Sequence, residues 1–209
     1  MAIFADRAAA GQDLARHLEH WRGADAVVFG IPRGGVVVAA EVARILELPL
    51  DVAIVRKLGA PSHQEFAVGA IADGVRVVNA DAVRDEYVTT EQLAFIEDME
   101  RVELKRRAQL FGSSHERLRG RVAIVVDDGI ATGATAWAAC HSLRARDPVR
   151  MVLAVPVAPA EWRPDSATVD EYVCSVGSEQ FWAVGQFYDD FTQTTDEEVV
   201  RLLARDLPR

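Results

Sequence analysis

Short apolar runs alternate with amphipathic stretches along most of this chain. Ala26 to Ile31, Leu50 to Val55, Val122 to Val126 and Met151 to Val155 are rich in Val, Ile and Ala. Each is too short for a helix and is bounded by turn or charged residues, the pattern of a strand buried on both faces. Between them lie helical periodicities. Asp6 stands as an N-cap for a helix running to about Trp21, with Leu14 and Leu18 on one face. Val36 to Leu46 reads as a second helix. A long charged helix starts at Thr89 or Thr90 and ends near Phe111, opened by the capping box Thr89-x-x-Gln92. An Ala-rich helix runs to about Arg146. Glu65 to Ile71 and Val75 to Asn79 read as a hairpin joined by Ala72-Asp73-Gly74. Beyond Pro156 the pattern weakens, punctuated by Pro159 and Pro164. A strand at Tyr172 to Val176 and a terminal helix at Asp196 to Ala204 remain.

Strands that alternate with helices predict an α/β fold, a mostly parallel sheet with helices on both faces. Ligands bind such sheets beyond the carboxyl ends of the strands. Three polar segments fall there, after Ile31, after Val55 and after Val126. A chain of 209 residues suffices for one such domain. The division expected is a core over about 25–155 and a small hood over about 156–209, to which the N-terminal helix can add.

Composition narrows the function. The net charge of −9 argues against broad nucleic-acid or anionic-membrane binding, which draws on a basic surface. It leaves room for a local basic pocket. The N-terminus lacks the basic start and apolar run of a signal peptide, and Cys140 and Cys174 form neither a CxxC pair nor a disulfide framework. A cytoplasmic setting with buried free thiols is expected. None of the histidines His17, His20, His63, His115 and His141 falls in an HExxH or Cys/His cluster, so no zinc site is expected.

The chemistry concentrates in Val122–Thr135, VAIVVDDGIATGAT. A buried strand ends in two carboxylates, Asp127 and Asp128. A loop of small residues follows, then a helix N-terminus, where free N–H groups point outward and favour phosphate. The acids suit vicinal hydroxyls or a metal beside that phosphate. No Gly-Lys-Ser/Thr follows, so this is not a Walker loop. The stretch resembles the 5-phosphoribosyl-1-pyrophosphate (PRPP) motif of the type I phosphoribosyltransferases. The resemblance implies that Ala131, Thr132, Gly133, Ala134 and Thr135 hold the 5-phosphate. It implies that Asp127 and Asp128 bind the ribose hydroxyls, directly or through Mg²⁺ and its water. Gly129 stands where that family usually has an aliphatic residue, which would loosen the loop.

Three further segments fit the same resemblance. Gly30-Ile31-Pro32-Arg33-Gly34-Gly35 is similar to the family's pyrophosphate loop, which in relatives can contain a non-proline cis peptide. It implies a pyrophosphate site at Arg33, Gly34 and Gly35. Arg56-Lys57 resembles a pair found before a mobile loop in the adenine and orotate enzymes, with Lys57 on pyrophosphate. Residues 59–65 would then be the lid, with His63 placed to assist protonation. Phe181-Trp182-Ala183-Val184-Gly185 and Asp189 are similar to the base-binding hood of the hypoxanthine–guanine enzymes, which points to Trp182 stacking on a base and Asp189 bonding it. The 155–159 segment has no Lys, which counts against a 6-oxopurine.

The activity implied is transfer of phosphoribosyl from PRPP to a nitrogenous base, with release of pyrophosphate and Asp127, Asp128, Lys57 and Arg33 as the catalytic set. That would place the protein in nucleotide and nucleoside metabolism. A PRPP-sensing regulator without the transferase reaction is the alternative. A ribose-phosphate pyrophosphokinase would need a second related domain, and none is visible. The fold also suggests a homodimer. The acceptor is not identified.

Overall fold

A computed structural model describes residues 2–63, 66–72, 74–112 and 118–204. Its centre is a five-stranded, fully parallel sheet in the order β2-β1-β6-β7-β8. These strands are β1 (Ala26–Gly30), β2 (Leu50–Val52), β6 (Val122–Val126), β7 (Arg150–Pro159) and β8 (Glu171–Ser178). Successive side chains on a strand point to opposite faces, and the core divides accordingly. Val27, Phe29, Ala123, Val125, Met151 and Leu153 face α5 (Ala134–Arg144). Val28, Ile124, Val152 and Ala154 face α1 (Arg7–His17) and α2 (Gly34–Leu46). All five residues of β1 and of β6 are buried, so near-continuous apolar runs were the right signal for them.

A second, antiparallel sheet packs against α5. It consists of β3 (Val55–Gly59), β4 (Ala67–Ala72) and β5 (Val75–Val78). The expected strand Leu50–Val55 is therefore two elements: β2 ends at Val52, and β3 starts the second sheet at Val55. The expected hairpin is β4–β5; Glu65 and Asp73 lie outside the described residues. A short helix that the periodicity did not show, α3 (Ala80–Asp85), is capped by the Asn79 side chain. Then comes α4 (Thr90–Phe111), whose capping box forms as predicted: Gln92 N–H donates to Thr89 Oγ1 at 3.2 Å and Thr89 N–H donates to Gln92 Oε1 at 2.9 Å.

Two expectations change near the termini. The first helix ends at His17, and Glu19–Trp21 forms a separate 3-10 turn. β7 runs through Pro159 and β8 joins the main sheet, so residues 156–159 and 171–178 belong to the core sheet. The last helix, α6 (Asp196–Ala204), packs on α2 and α4. Between β8 and α6 the chain folds over the sheet rim and meets the N-terminus: Ile3 and Phe4 N–H donate to the Phe187 carbonyl, and Asp189 N–H donates to that of Phe4. Phe4, Ala10, Val157, Phe187 and Tyr188 close an apolar cluster there. Cys140 is buried and Cys174 half-buried, and both are free thiols.

Candidate active site

The sheet order places β1 and β6 side by side, with Gly30 in register with Val126. The connection from β1 leaves toward β2 on one side and that from β6 toward β7 on the other. The strand order reverses there, at the carboxyl ends, the region where sheets of this kind bind ligands. The Arg33-Gly34-Gly35 turn and the Asp127-Asp128 pair both emerge into it. Ile31 N–H donates to the Val126 carbonyl at 2.9 Å, tying the two turns together.

The glycine pair is there because the acids leave no room for side chains. A Cβ added at Gly34 would collide with Asp128 Oδ2 and lie 2.6 Å from Arg7 Nε. One added at Gly35 would lie 2.8 Å from Asp127 Oδ1 and 2.9 Å from the Val126 carbonyl oxygen. The Arg33-Gly34-Gly35 turn and the acid pair therefore form one surface. The Pro32–Arg33 peptide is cis. Arg33 caps α2 without a side-chain cap bond. Its guanidinium reaches Asp196 at 3.7 Å, in a polar cleft lined by Gln193, Thr194, Thr195, Asp196 and Glu197.

Beyond the acids, Ala131 and Thr132 are exposed and Gly133, at φ +82°, starts α5. A glycine N-cap has no side chain to satisfy the first turn, so those N–H groups stay open to an anion. The indole of Trp162 lies against Gly133, occupying the space of a Cβ, and its Nε1–H donates to the Thr132 carbonyl at 3.3 Å. Gly129 is packed rather than loose: a Cβ there would stand 2.6 Å from Val184 and 2.7 Å from Val157.

Burial raises the Asp127 carboxyl well above the usual carboxylate range, and the neighbouring Asp128 charge adds to this. Burial raises Asp128 as well, while its bond to Arg7 opposes the rise. Arg7 Nε donates to Asp128 Oδ2 at 2.7 Å, and Tyr188 Oη–H donates to the Asp128 carbonyl at 2.6 Å. Neither Arg7 nor Tyr188 belongs to a local motif. Only the fold brings α1 and the 188–192 segment to the acids, and the same holds for Trp162.

The remaining expected residues sit further out. Lys57 lies on β3 opposite Ala70, within a sheet that packs on α5; the expectation that it ends a strand of the main sheet is corrected. Its neighbour Arg56 donates to Glu100 of α4 at 2.6 Å. Of the expected lid, residues 59–63 are described, and Ser62 and His63 both contact Glu86; Gln64 and Glu65 lie outside the described residues. Trp182 and Asp189 are exposed, Trp182 by 88%. No cluster of three or more His, Cys, Asp or Glu suited to a metal occurs among the described residues. Two adjacent carboxylates, one engaged by Arg7, fit Mg²⁺ that arrives with substrate oxygens and keeps its waters, not an ion caged by protein.

The family model of the phosphoribosyl transferase domain matches residues 5–192. The chain belongs to the type I phosphoribosyltransferase family. The match extends beyond 25–155 into α1 and the segment that folds over the rim. Two curated relatives from Mycobacterium tuberculosis strains, each named "putative phosphoribosyl transferase", are 49% identical over 98% of this chain. The chain spans about half the length of these relatives, 47%. The crystal structure of TT1426 from Thermus thermophilus superposes with a TM-score of 0.77, at 39% identity over the whole of both chains. A hypothetical protein from Neisseria gonorrhoeae, solved with ppGpp bound, shares the fold at 16% identity and a TM-score of 0.52, over 98% of this chain and 97% of that one. No described helix is long and apolar enough to cross a membrane.

Proposed function

We propose that the protein transfers 5-phosphoribosyl from PRPP to a nitrogenous base or similar nucleophile, releasing pyrophosphate. The observation that carries this reading is the contact of Gly34 and Gly35 with Asp128 and Asp127. It joins a pyrophosphate-type loop to a ribose-type acid pair at one rim, with an uncapped helix N-terminus next along the chain. Such an array matches the three parts of PRPP in order: 5-phosphate, ribose, pyrophosphate.

In this reading the N–H groups of residues 131–135 hold the 5-phosphate, and the Thr132 and Thr135 hydroxyls assist. Asp127 and Asp128 accept from the ribose hydroxyls and would hold Mg²⁺ through water. Bound Mg²⁺ supplies positive charge shared between substrate oxygens. Arg33, Gly34, Gly35 and Lys57 receive the pyrophosphate, whose charge grows as the bond to C1 breaks. Donors fixed before the reaction stabilise that charge without reorganising. The 59–65 loop closes over the site and excludes water, Trp182 stacks on the base and Asp189 bonds it. The protein works in the cytoplasm, as a homodimer.

The test is a panel of bases with PRPP and Mg²⁺, read by pyrophosphate release, beside the shift in melting temperature on adding PRPP. Turnover with at least one base is the expected result. No shift and no binding heat at millimolar PRPP would sink the reading. Tight binding without turnover on any base would turn it into a PRPP sensor.

A further inference from the structure

The N-terminal helix delivers a cation to the centre of this site, and no sequence motif announces it. Arg7 is 11% exposed at its side chain and held by three groups. Its Nε donates to Asp128 Oδ2 at 2.7 Å and its Nη1 to the Thr192 carbonyl at 2.8 Å, and its guanidinium lies 3.9 Å from the centre of the Phe191 ring. These contacts come from the turn after β6 and from the segment over the rim, so the group is positioned before any substrate arrives.

We infer that Arg7 is a substrate-binding residue, directed at the pyrophosphate half of PRPP. The inference rests on the phosphoribosyl transfer reading and deepens it.

Three observations support it. First, the location: a Cβ at Gly34 would lie 2.6 Å from Arg7 Nε. The guanidinium thus lies where the pyrophosphate loop crosses the acid pair, next to the bond that breaks. Second, the remaining donors: Asp128 and Thr192 take Nε and Nη1, while Nη2 makes no hydrogen bond among the described residues. A guanidinium fork keeps its donors in one plane, and such an edge suits phosphate oxygens. Third, the charge balance. PRPP is a polyanion, and setting it beside two carboxylates is repulsive unless a cation lies between them. Arg33 is drawn toward Asp196 at 3.7 Å, and Arg56, next to Lys57, is engaged by Glu100. Arg7 is the cation in direct contact with the acid pair.

An arginine that only fixed α1 to the rim would need the same ion pair, so the test must separate position from substrate contact. Wild type, Arg7→Gln and Arg7→Lys are titrated calorimetrically with PRPP and with ribose 5-phosphate, which lacks the pyrophosphate. The ratio of the two affinities is the readout, because loss of support for Asp128 weakens both ligands alike. Arg7→Gln is expected to lower the PRPP preference tenfold or more. Arg7→Lys keeps the charge but loses the fork, and is expected to lower it at least threefold. The lysine variant also serves if the glutamine variant fails to fold. An unchanged ratio in a folded variant overturns the inference while leaving the transferase reading intact. Wild type that binds neither ligand overturns both.

Discussion

The rim of the parallel sheet and the arm built from β3, β4, β5 and α4 are held together in different ways. At the rim the glycines are held by close packing. Gly34 and Gly35 touch the acids, Gly129 touches Val184, and Gly133 touches Trp162. The arm has a smaller core around Leu58, Val68, Ile71 and Leu93. Its polar ties are side-chain pairs: Arg56 with Glu100, Arg76 with Glu97, and Ser62 and His63 with Glu86. Such pairs contribute little individually when solvent reaches them; what joins the arm to the rest is apolar packing of Val55, Ala70 and Ala72 in the cluster under α5. In the proposed reading this is a division of labour: the parts of PRPP that stay with the product meet the rim, and the part that leaves meets Lys57 of the arm in addition.

The comparison breaks most easily at the acid pair. Asp128→Asn is expected to weaken PRPP binding on the order of a hundredfold or more, the size seen when one member of a buried charged contact is lost at ~2–5 kcal/mol. It also strips Arg7 of its partner, so the melting temperature should fall too. Calorimetric titration with a thermal scan checks both, and an unchanged affinity would mean the acids do not touch the substrate.

The arm is tested next. Lys57→Ala should lower kcat by roughly ten- to a thousandfold while raising the PRPP dissociation constant less, because a leaving-group contact strengthens in the transition state. Equal loss in both quantities would assign Lys57 to the rigid half of the comparison. Intact turnover would remove the arm from the reaction.

Gly133→Ala probes the rim's packing. Its Cβ would meet the Trp162 indole from a backbone at φ +82°, so a loss of ~1–3 kcal/mol is expected, about 2–4 °C per kcal/mol for a domain of this size. Ribose 5-phosphate should bind more weakly as well. A variant with wild-type melting and affinity would show that Trp162 does not hold the loop.

Asp127→Asn should do the reverse for stability. The folded carboxyl is raised by burial and by Asp128, so its ionised form disfavours folding. That cost is fully present above the folded pKa and vanishes below the unfolded value of about 3.9. The variant should therefore melt slightly higher than wild type at pH 7, with the difference closing as the pH falls, while PRPP binding is lost. A lower melting temperature at pH 7 would show that hydrogen bonds outweigh the burial cost.

The smallest effect is expected at His63→Ala, within about 0.5 kcal/mol in stability, since the ring is exposed and its partner among the described residues is Glu86. A large loss of kcat without a change in melting would place His63 in the lid's chemistry.

Local pattern was enough for the elements whose signals are local. Val122–Val126, the capping box at Thr89, the helix start at Gly133 and the Gly34-Gly35 turn all depend on neighbouring residues, and all were legible. Boundaries failed where two local readings were equally good. Leu50–Val55 is one apolar run, yet the chain changes sheet inside it, because Val52 packs with Val36 and Val199 while Val55 joins the cluster under α5. Nothing short-range distinguishes those positions. β7 was cut short for a related reason: Pro156 and Pro159 read as breakers, but Pro156 lies within the strand and Pro159 at its end.

The sequence by itself determined the family and the α/β class, because both rest on backbone forms written in consecutive residues. Tertiary structure alone decided which distant groups complete the site. Arg7 and Asp128 are 121 positions apart, Tyr188 and Asp128 are 60 apart, and Trp162 reaches Thr132 from 30 residues away. A single arginine, tyrosine or tryptophan carries no periodicity and belongs to no spacing rule. Its role is set by the folding of α1, the turn after β7 and the 188–192 segment over the carboxyl edge of the sheet, which brings Arg7 and Tyr188 to Asp128 and Trp162 to Thr132.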